Sequence, residues 1–422
     1  MDAIKLDNMD YLLICNTSDG LVAQLNGVVI QLQLARRLGL EPIVYLHERS
    51  FFFGERNPYY QDEHGQNVWE YYFEPIGVPV DRLPALVRSN RVFTIANASE
   101  LWRLYRWDPE SFFMIPYGYY RSVENMADVA YPHEWWLAQR RKARVFLEDG
   151  TIRVKRQLVD QARRFAEDNF SSETLGLQLR GSDKYDFGMG PNLSRKVPPE
   201  EYFPYIDQYL AEHPACTRIF VATDQRKWLA DLESAYPGKI LSCSELSLSE
   251  DNQNRIHDQH DRALRGAEPL VDALLLSRCS FLFKCQGAVG ELALVLNPDL
   301  AFVDLNYDRA PFTARPGLLR PLLNPLIRNL CIFWKEISRR YLGLSRVVSI
   351  EQERIFVDGR RPRLLPPLTL GRIVAAAFRH CVDRLAQRCY VYRERRFVSP
   401  EDRKKQLFRS NASSTGIPSS GK

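Results

Sequence analysis

The sequence predicts an α/β protein made of two open parallel sheets, each flanked by helices, followed by a basic helical C-terminal region. Three observations carry this expectation. Short apolar runs alternate with stretches of helical period between residues 174 and 304, a strand–turn–helix–strand pattern opens the chain, and basic residues concentrate beyond residue 326. With 422 residues, 45% of them hydrophobic, the chain is long enough for two cores.

The first element is the apolar run Tyr11 to Cys15, followed by the polar turn Asn16-Thr-Ser-Asp-Gly20. Apolar residues at 25, 28, 29, 32, 35 and 38 have helical spacing, Gly39 closes that helix, and Pro42 to Leu46 reads as the next parallel strand. Residues 50–145 are rich in aromatics, Pro and Gly, as in Phe51-Phe-Phe53 and Pro116-Tyr-Gly-Tyr-Tyr120, and predict short helices joined by long loops. A charged amphipathic helix is expected over 146–170. Strands are then expected at 174–180, 217–224, 239–243, 281–284 and 300–304, with helices at 198–212, 226–236, 270–279 and 287–296. The resulting domain plan is 1–168, 169–325, a basic helical region at 326–410 and a disordered tail at 411–422.

The net charge of +5 is unevenly distributed, since residues 326–410 hold 20 Lys and Arg against 8 Asp and Glu. That region predicts helices packed across the two domains with arginines facing water. The functional alternative is a peripheral contact with anionic lipid. The eight cysteines form no C-x-x-C pair, so reduced, buried thiols are expected. Met1 to Asp10 is polar and acidic, and no run of about 18 uncharged apolar residues occurs. A cytoplasmic protein, soluble or peripheral to the inner face of the membrane, is therefore expected. The five N-x-[ST] sequons, at Asn16, Asn97, Asn169, Asn192 and Asn411, are then chance occurrences. No nucleic-acid module is recognisable, so a nucleic-acid partner is not expected.

Open parallel sheets bind ligands beyond the carboxyl ends of their strands, which makes the residues at those ends the candidates. Strand 174–179 runs into Arg180-Gly-Ser-Asp-Lys184, strand 217–222 into Thr223-Asp224, and strand 281–284 into Cys285-Gln-Gly-Ala288. Together they offer a permanent cation, short hydroxyls and carboxylates, and a helix N-terminus with N–H groups for an anion. A pyrophosphate suits that set. Each feature also has a plainer reading: Arg180 and Lys184 pair with Asp183 and Asp186 on a solvated loop, Asp224 caps the helix beginning at Arg226, and Gly287 serves helix–strand packing. No D-x-D pair occurs anywhere, so no metal is expected, and leaving-group charge falls to side-chain cations such as Arg180.

At these tips the sequence resembles the fucosyltransferases of the core-N-glycan and rhizobial chitooligosaccharide types, and the related protein O-fucosyltransferases. Leu175-Gly-Leu-Gln-Leu-Arg-Gly-Ser-Asp-Lys184 is similar to the family's I-G-V-H-V-R-R-x-D-K, and Phe220-Val-Ala-Thr-Asp224 to its F-L-A-T-D-D. Leu264-Arg-Gly266, Leu270-Val-Asp272 and Leu276-Ser277 resemble its L-R-G-x-x-x-D-x-x-x-L-S run, Cys285 to Leu296 lies where it has a Ser-rich turn and helix, and Ala23-Gln-Leu-Asn-Gly-Val28 where it has C-Q-L-H-H-V. The resemblance implies a GT-B fold, two Rossmann-like domains facing a cleft, and an inverting, metal-independent glycosyltransferase using GDP-fucose or a related GDP-hexose on an oligosaccharide or glycolipid acceptor. Arg180 would hold the β-phosphate of GDP, Asp272 the guanine edge, and Asp183, Lys184 and Asp224 the phosphate or fucose region. Gly20 would allow backbone approach from the N-terminal domain.

Departures from the pattern fall at Gln178, where the family has a His beside the base, Gly181 for its second Arg, Gln225 for its second Asp, and Gly188 for its proposed catalytic Glu. Asp186 is the nearest carboxylate and the candidate general base. Gln286 and Gly287 replace the Ser of the phosphate turn. These losses keep open a second reading, a GDP-sugar or carbohydrate-binding protein that kept the fold and lost catalysis.

Overall fold

The protein is described from a computed structural model, in which residues 10–15, 20–48, 57–94, 133–181, 197–244, 248–249, 261–285, 287–305 and 363–364 are placed. Among these residues there are two wholly parallel sheets. The first contains β1 (Tyr11–Cys15), β2 (Glu41–Tyr45), β3 (Val92–Thr94) and β9 (Arg363–Leu364), in the order β2-β1-β3-β9. The second contains β4 (Glu173–Gln178), β5 (Cys216–Ala222), β6 (Ile240–Leu241), β7 (Phe281–Lys284) and β8 (Phe302–Asp304), in the order β6-β5-β4-β7-β8. Counted within the second sheet this is 3-2-1-4-5, the doubly wound Rossmann order. The expected α/β class, two Rossmann-like sheets, is the one observed.

The helices in chain order are α1 (Leu21–Leu38), α2 (Trp69–Tyr72), α3 (Leu83–Arg88), α4 (His133–Glu148), α5 (Arg156–Asn169), α6 (Phe203–Glu212), α7 (Arg226–Ala235), α8 (Arg262–Leu276) and α9 (Ala288–Leu296). Helix α1 ends as its sequence dictates, with Gly39 in the left-handed region at φ 67° and its N–H bonded to the last turn. It is buried on nearly all sides, because it packs on β1 and β2 and also on α8 and α9 of the other half. One apolar cluster consequently runs from Leu12 and Ile14 through Val28 and Leu32 to Leu270–Leu276 and Leu292–Val295. The two halves share a core.

Three expectations are corrected. The single helix over 146–170 is two helices, α4 and α5, broken at Gly150, whose φ of 74° no helix accommodates. Helix α8 begins at Arg262 and not at 270, because Pro269 is carried inside it; proline reads as a helix start in sequence, yet here packing against α5, α9 and α1 outweighs the missing N–H. Residues 363–364, expected within a helical region, form a strand beside β3, and parallel pairing at an open sheet edge decides their conformation. The remaining residues of the basic C-terminal region and the tail at 411–422 lie outside the described residues. No described helix is long and apolar enough to cross a membrane.

Candidate functional site

The second sheet reverses its strand order between β4 and β7, and the crevice above the carboxyl ends of those two strands is where such a sheet offers a site. Strand β4 delivers Gln178, Arg180 and Gly181 to this edge. From the neighbouring β5, Asp224 reaches across. Its Oδ1 accepts the Gly181 N–H at 2.8 Å and its Oδ2 accepts Arg180 Nε at 3.1 Å. The plainer reading of Asp224 as a helix cap does not hold, since Gln225 occupies the N-cap of α7 and Asp224 spends its carboxylate on the β4 tip. The pair is only partly exposed, 31% for the Arg180 side chain and 14% for Asp224, so the cation is fixed at the crevice rather than loose in solvent.

Gly181 is required sterically. A Cβ there would stand 2.5 Å from Gln225 Cγ and 2.7 Å from Trp228 Cη2. The place of the second arginine in the resembled motif is thus closed by the buried Trp228. Gln178 is buried as well, its carbonyl accepting from Tyr202 Oη at 2.9 Å and from the Cys285 N–H at 3.1 Å. Its side chain lies against the start of α9, where a Cβ on Gly287 would be 2.6 Å from Gln178 Nε2. Close packing therefore accounts for Gly287 directly.

Asp272 sits on α8 and is 4% exposed. Its Oδ2 accepts from Ser244 Oγ at 2.8 Å and its Oδ1 from Cys243 Sγ at 3.3 Å, two consecutive residues just beyond β6. Among the described residues it makes no ion pair. Burial pushes its carboxyl up to about 7, against the two hydrogen bonds that favour the ionised form, and Glu268 adds to the rise. Burial and the neighbouring carboxylate likewise raise the Cys243 thiol, so it remains a protonated donor. A buried carboxylate with donors but no cation keeps one lone pair on each oxygen for further N–H groups.

Gly20 is the N-cap of α1, with φ −57° and ψ 153°, a conformation open to any residue. The first amide of the helix, Leu21 N–H, donates to Tyr59 Oη at 2.9 Å. The Tyr59 ring and the Tyr72 hydroxyl press on Gly266 of α8, where a Cβ would meet them at 2.7 Å and 2.2 Å. Gly266 is what lets the two halves approach. Asp183, Lys184, Asp186 and Gln286 lie outside the described residues.

Sequence reasoning missed Tyr59, Trp228, Cys243 and Ser244, whose signals are indistinct from ordinary core and loop residues. It also missed four charged residues buried beside the crevice, Arg140, Lys284, Glu291 and Asp304. Those had a signal: Lys284 and Glu291 are lone charges in the apolar runs Phe281-Leu-Phe-Lys284 and Ala288 to Leu296. The cavity of about 360 Å³ lined by Leu32, Arg36, Pro42, Ile76 and Arg153 lies at the opposite, amino-terminal edge of the first sheet and is not this site. Among the described residues no group of three or more His, Cys, Asp or Glu side chains is gathered as for a metal ion.

No family model matches the chain. No curated protein matches it either. Among solved structures, the chain is similar to the fucosyltransferase NodZ from Bradyrhizobium, at 15% identity over 71% of this chain and 96% of that one, with a TM-score of 0.41. It is also similar to NodZ α-1,6-fucosyltransferase soaked with GDP-fucose, at 15% identity over 71% and 96% with a TM-score of 0.39. POFUT1 in complex with GDP-fucose is similar at 11% identity over 68% and 95%, with a TM-score of 0.38.

Proposed function

We propose that the chain is a glycosyltransferase that moves fucose from GDP-fucose to a hydroxyl of a glycan or glycolipid, with inversion and without a metal. The observation that carries this reading is the cation Arg180, anchored by Asp224 at the switch point of a Rossmann-ordered sheet. The acceptor oxygen would bond to C1 of the sugar as the bond from C1 to the β-phosphate oxygen breaks, and the electron pair would leave on GDP. Arg180 would stabilise that developing charge, and the acceptor proton would pass to a carboxylate, for which Asp186 is the candidate. Asp272 would accept guanine N1–H and N2–H on the lone pairs that Ser244 and Cys243 leave open. In this reading 1–168 is the acceptor side, 169–325 the donor side, and the basic residues of 326–410 contact anionic lipid near a lipid-linked acceptor.

A panel of GDP- and UDP-sugars, followed by nucleotide release with and without glycan acceptors, tests it. Release from GDP-fucose and not from UDP-sugars is expected, and no release from any GDP-sugar would overturn the transferase. The second reading, a GDP-sugar-binding protein without turnover, is favoured by one observation, the closure of the Gly181 position by Trp228, which leaves the β4 tip without a second cation. It predicts GDP binding with no release.

A further inference from the structure

Beside the crevice, four charged side chains are buried in one chain of ion pairs. Lys284, the last residue of β7, donates from Nζ to Asp304, the last residue of β8, and to Glu291 Oε1 at 2.8 Å. The other oxygen of Glu291 accepts from Arg140 on α4, at 2.9 Å from Nη2 and 3.1 Å from Nε. Burial works against the charges of Lys284 and Glu291, yet their partners prevail: Asp304 and Glu291 hold Lys284 above its ordinary value, and Arg140 with Lys284 draws Glu291 down to about 2. Lys284 and Glu291 are therefore both charged.

Stability is a poor reason for such a network, because apolar residues of the same volume cost less to bury. Its position supplies a better one. The Lys284 chain passes along Gly290, its Cε 3.1 Å from where a Cβ would stand, and the Gln178 amide lies on the same glycine at 3.0 Å and on Gly287 at 2.6 Å. The first turn of α9 is thus a glycine groove holding one side chain from each strand that flanks the switch point. Glu291, next to Gly290 in the same turn, ties Lys284 in that groove, and Arg140 ties α4 to the same carboxylate.

We propose that Arg140, Lys284 and Glu291 are positioning residues for the donor diphosphate: their ion pairs fix the register of the first turn of α9 against β4 and β7, so that its N–H groups face the crevice. This rests on the crevice being the GDP-sugar site. A buried ionic network that sets register is its best-attested use, and a helix N-terminus held in register can receive a phosphate.

The test is calorimetric titration of the full chain with GDP and with guanosine. In a variant carrying Arg140→Met, Lys284→Met, Glu291→Met and Asp304→Leu, thermal unfolding is expected to remain cooperative. GDP affinity is expected to fall by about tenfold or more while guanosine affinity holds, since a turn displaced by about 1 Å suffices for such a loss. Should that variant fail to fold, Glu291→Asp keeps the charge with one methylene fewer, and the same selective loss is expected. Wild-type GDP affinity in either folded variant, or an equal loss of GDP and guanosine, would overturn the proposal. A wild-type protein that binds neither compound removes the donor reading and this proposal together, a result distinct from equal binding by wild type and variants.

Discussion

Asp224 holds Arg180 through Nε at 3.1 Å while its other carboxylate oxygen accepts the Gly181 N–H at 2.8 Å. One carboxylate thus fixes both a cation and the backbone that carries it. Asp224→Ala removes both acceptors and strands an N–H, which should cost about 1–3 kcal/mol of stability. Donor KM should rise about tenfold or more, as expected when a supporting group of a binding side chain is lost. Asp224→Asn, which keeps the acceptor for the N–H, should recover most of the stability and little of the affinity. Thermal unfolding alongside donor kinetics separates the two effects.

Gly181→Ala places a methyl 2.5 Å from Gln225 Cγ and 2.7 Å from Trp228 Cη2. Overpacking of this kind costs about 1–3 kcal/mol. Trp228→Phe should return part of that loss in the Gly181→Ala background while destabilising the wild type, so denaturant titrations of the four proteins should yield a favourable coupling energy. Strict additivity would mean that the ring and the glycine are not matched.

Asp272 should make the free protein less stable than it could be. Its carboxyl titrates near 7 when folded, above its ordinary value of 3.8, so the folded state favours the proton. Stability is then greatest below about pH 4, declines as the pH rises through the interval up to 7, and is flat above it, for a total on the order of 4 kcal/mol. Asp272→Asn should raise the melting temperature at pH 8 and leave it little changed at pH 4. In the wild type, guanine binding should release protons near pH 7, detectable as a dependence of the binding heat on buffer ionisation enthalpy. No buffer dependence would contradict an Asp272 that ionises for the base.

Gly266 and Tyr72 form a second matched pair, at the contact between the halves. The Tyr72 hydroxyl is buried, has no hydrogen-bond partner among the described residues, and lies 2.2 Å from where a Gly266 Cβ would stand. Tyr72→Phe should therefore be neutral or stabilising. Gly266→Ala should be destabilising by about 1–3 kcal/mol and partly rescued by Tyr72→Phe. Melting temperatures of the two single variants and the double variant check both statements.

The fold was legible because its signal is periodic. The apolar runs at Tyr11–Cys15, Leu175–Leu179 and Phe281–Phe283, set between helical stretches, identify buried parallel strands without further information. Where one residue outweighs the pattern, structure and expectation differ: Pro269 lies inside α8, which was expected from 270, and Gly150 breaks the helix expected over 146–170. The strand-end rule brought out Arg180 and Asp224, but it could not show that Asp224 turns back to grip the β4 tip. Partners far apart in sequence were invisible for the same reason. Nothing local joins Ser244 to Asp272, Tyr59 to Gly266, or Arg140 to Glu291, although the last pair could have been suspected from a lone glutamate in an apolar helix.

Binding of a guanine diphosphate in the crevice of the second sheet, through Arg180 and Asp272, can be measured by calorimetric titration of GDP, UDP and ADP into the wild type, Arg180→Ala and Asp272→Asn. The wild type should prefer GDP, Arg180→Ala should weaken all diphosphates, and Asp272→Asn should remove the preference for guanine while leaving the protein folded. Equal binding of the three nucleotides by the wild type, or an unchanged GDP preference in Asp272→Asn, would contradict this mode of binding.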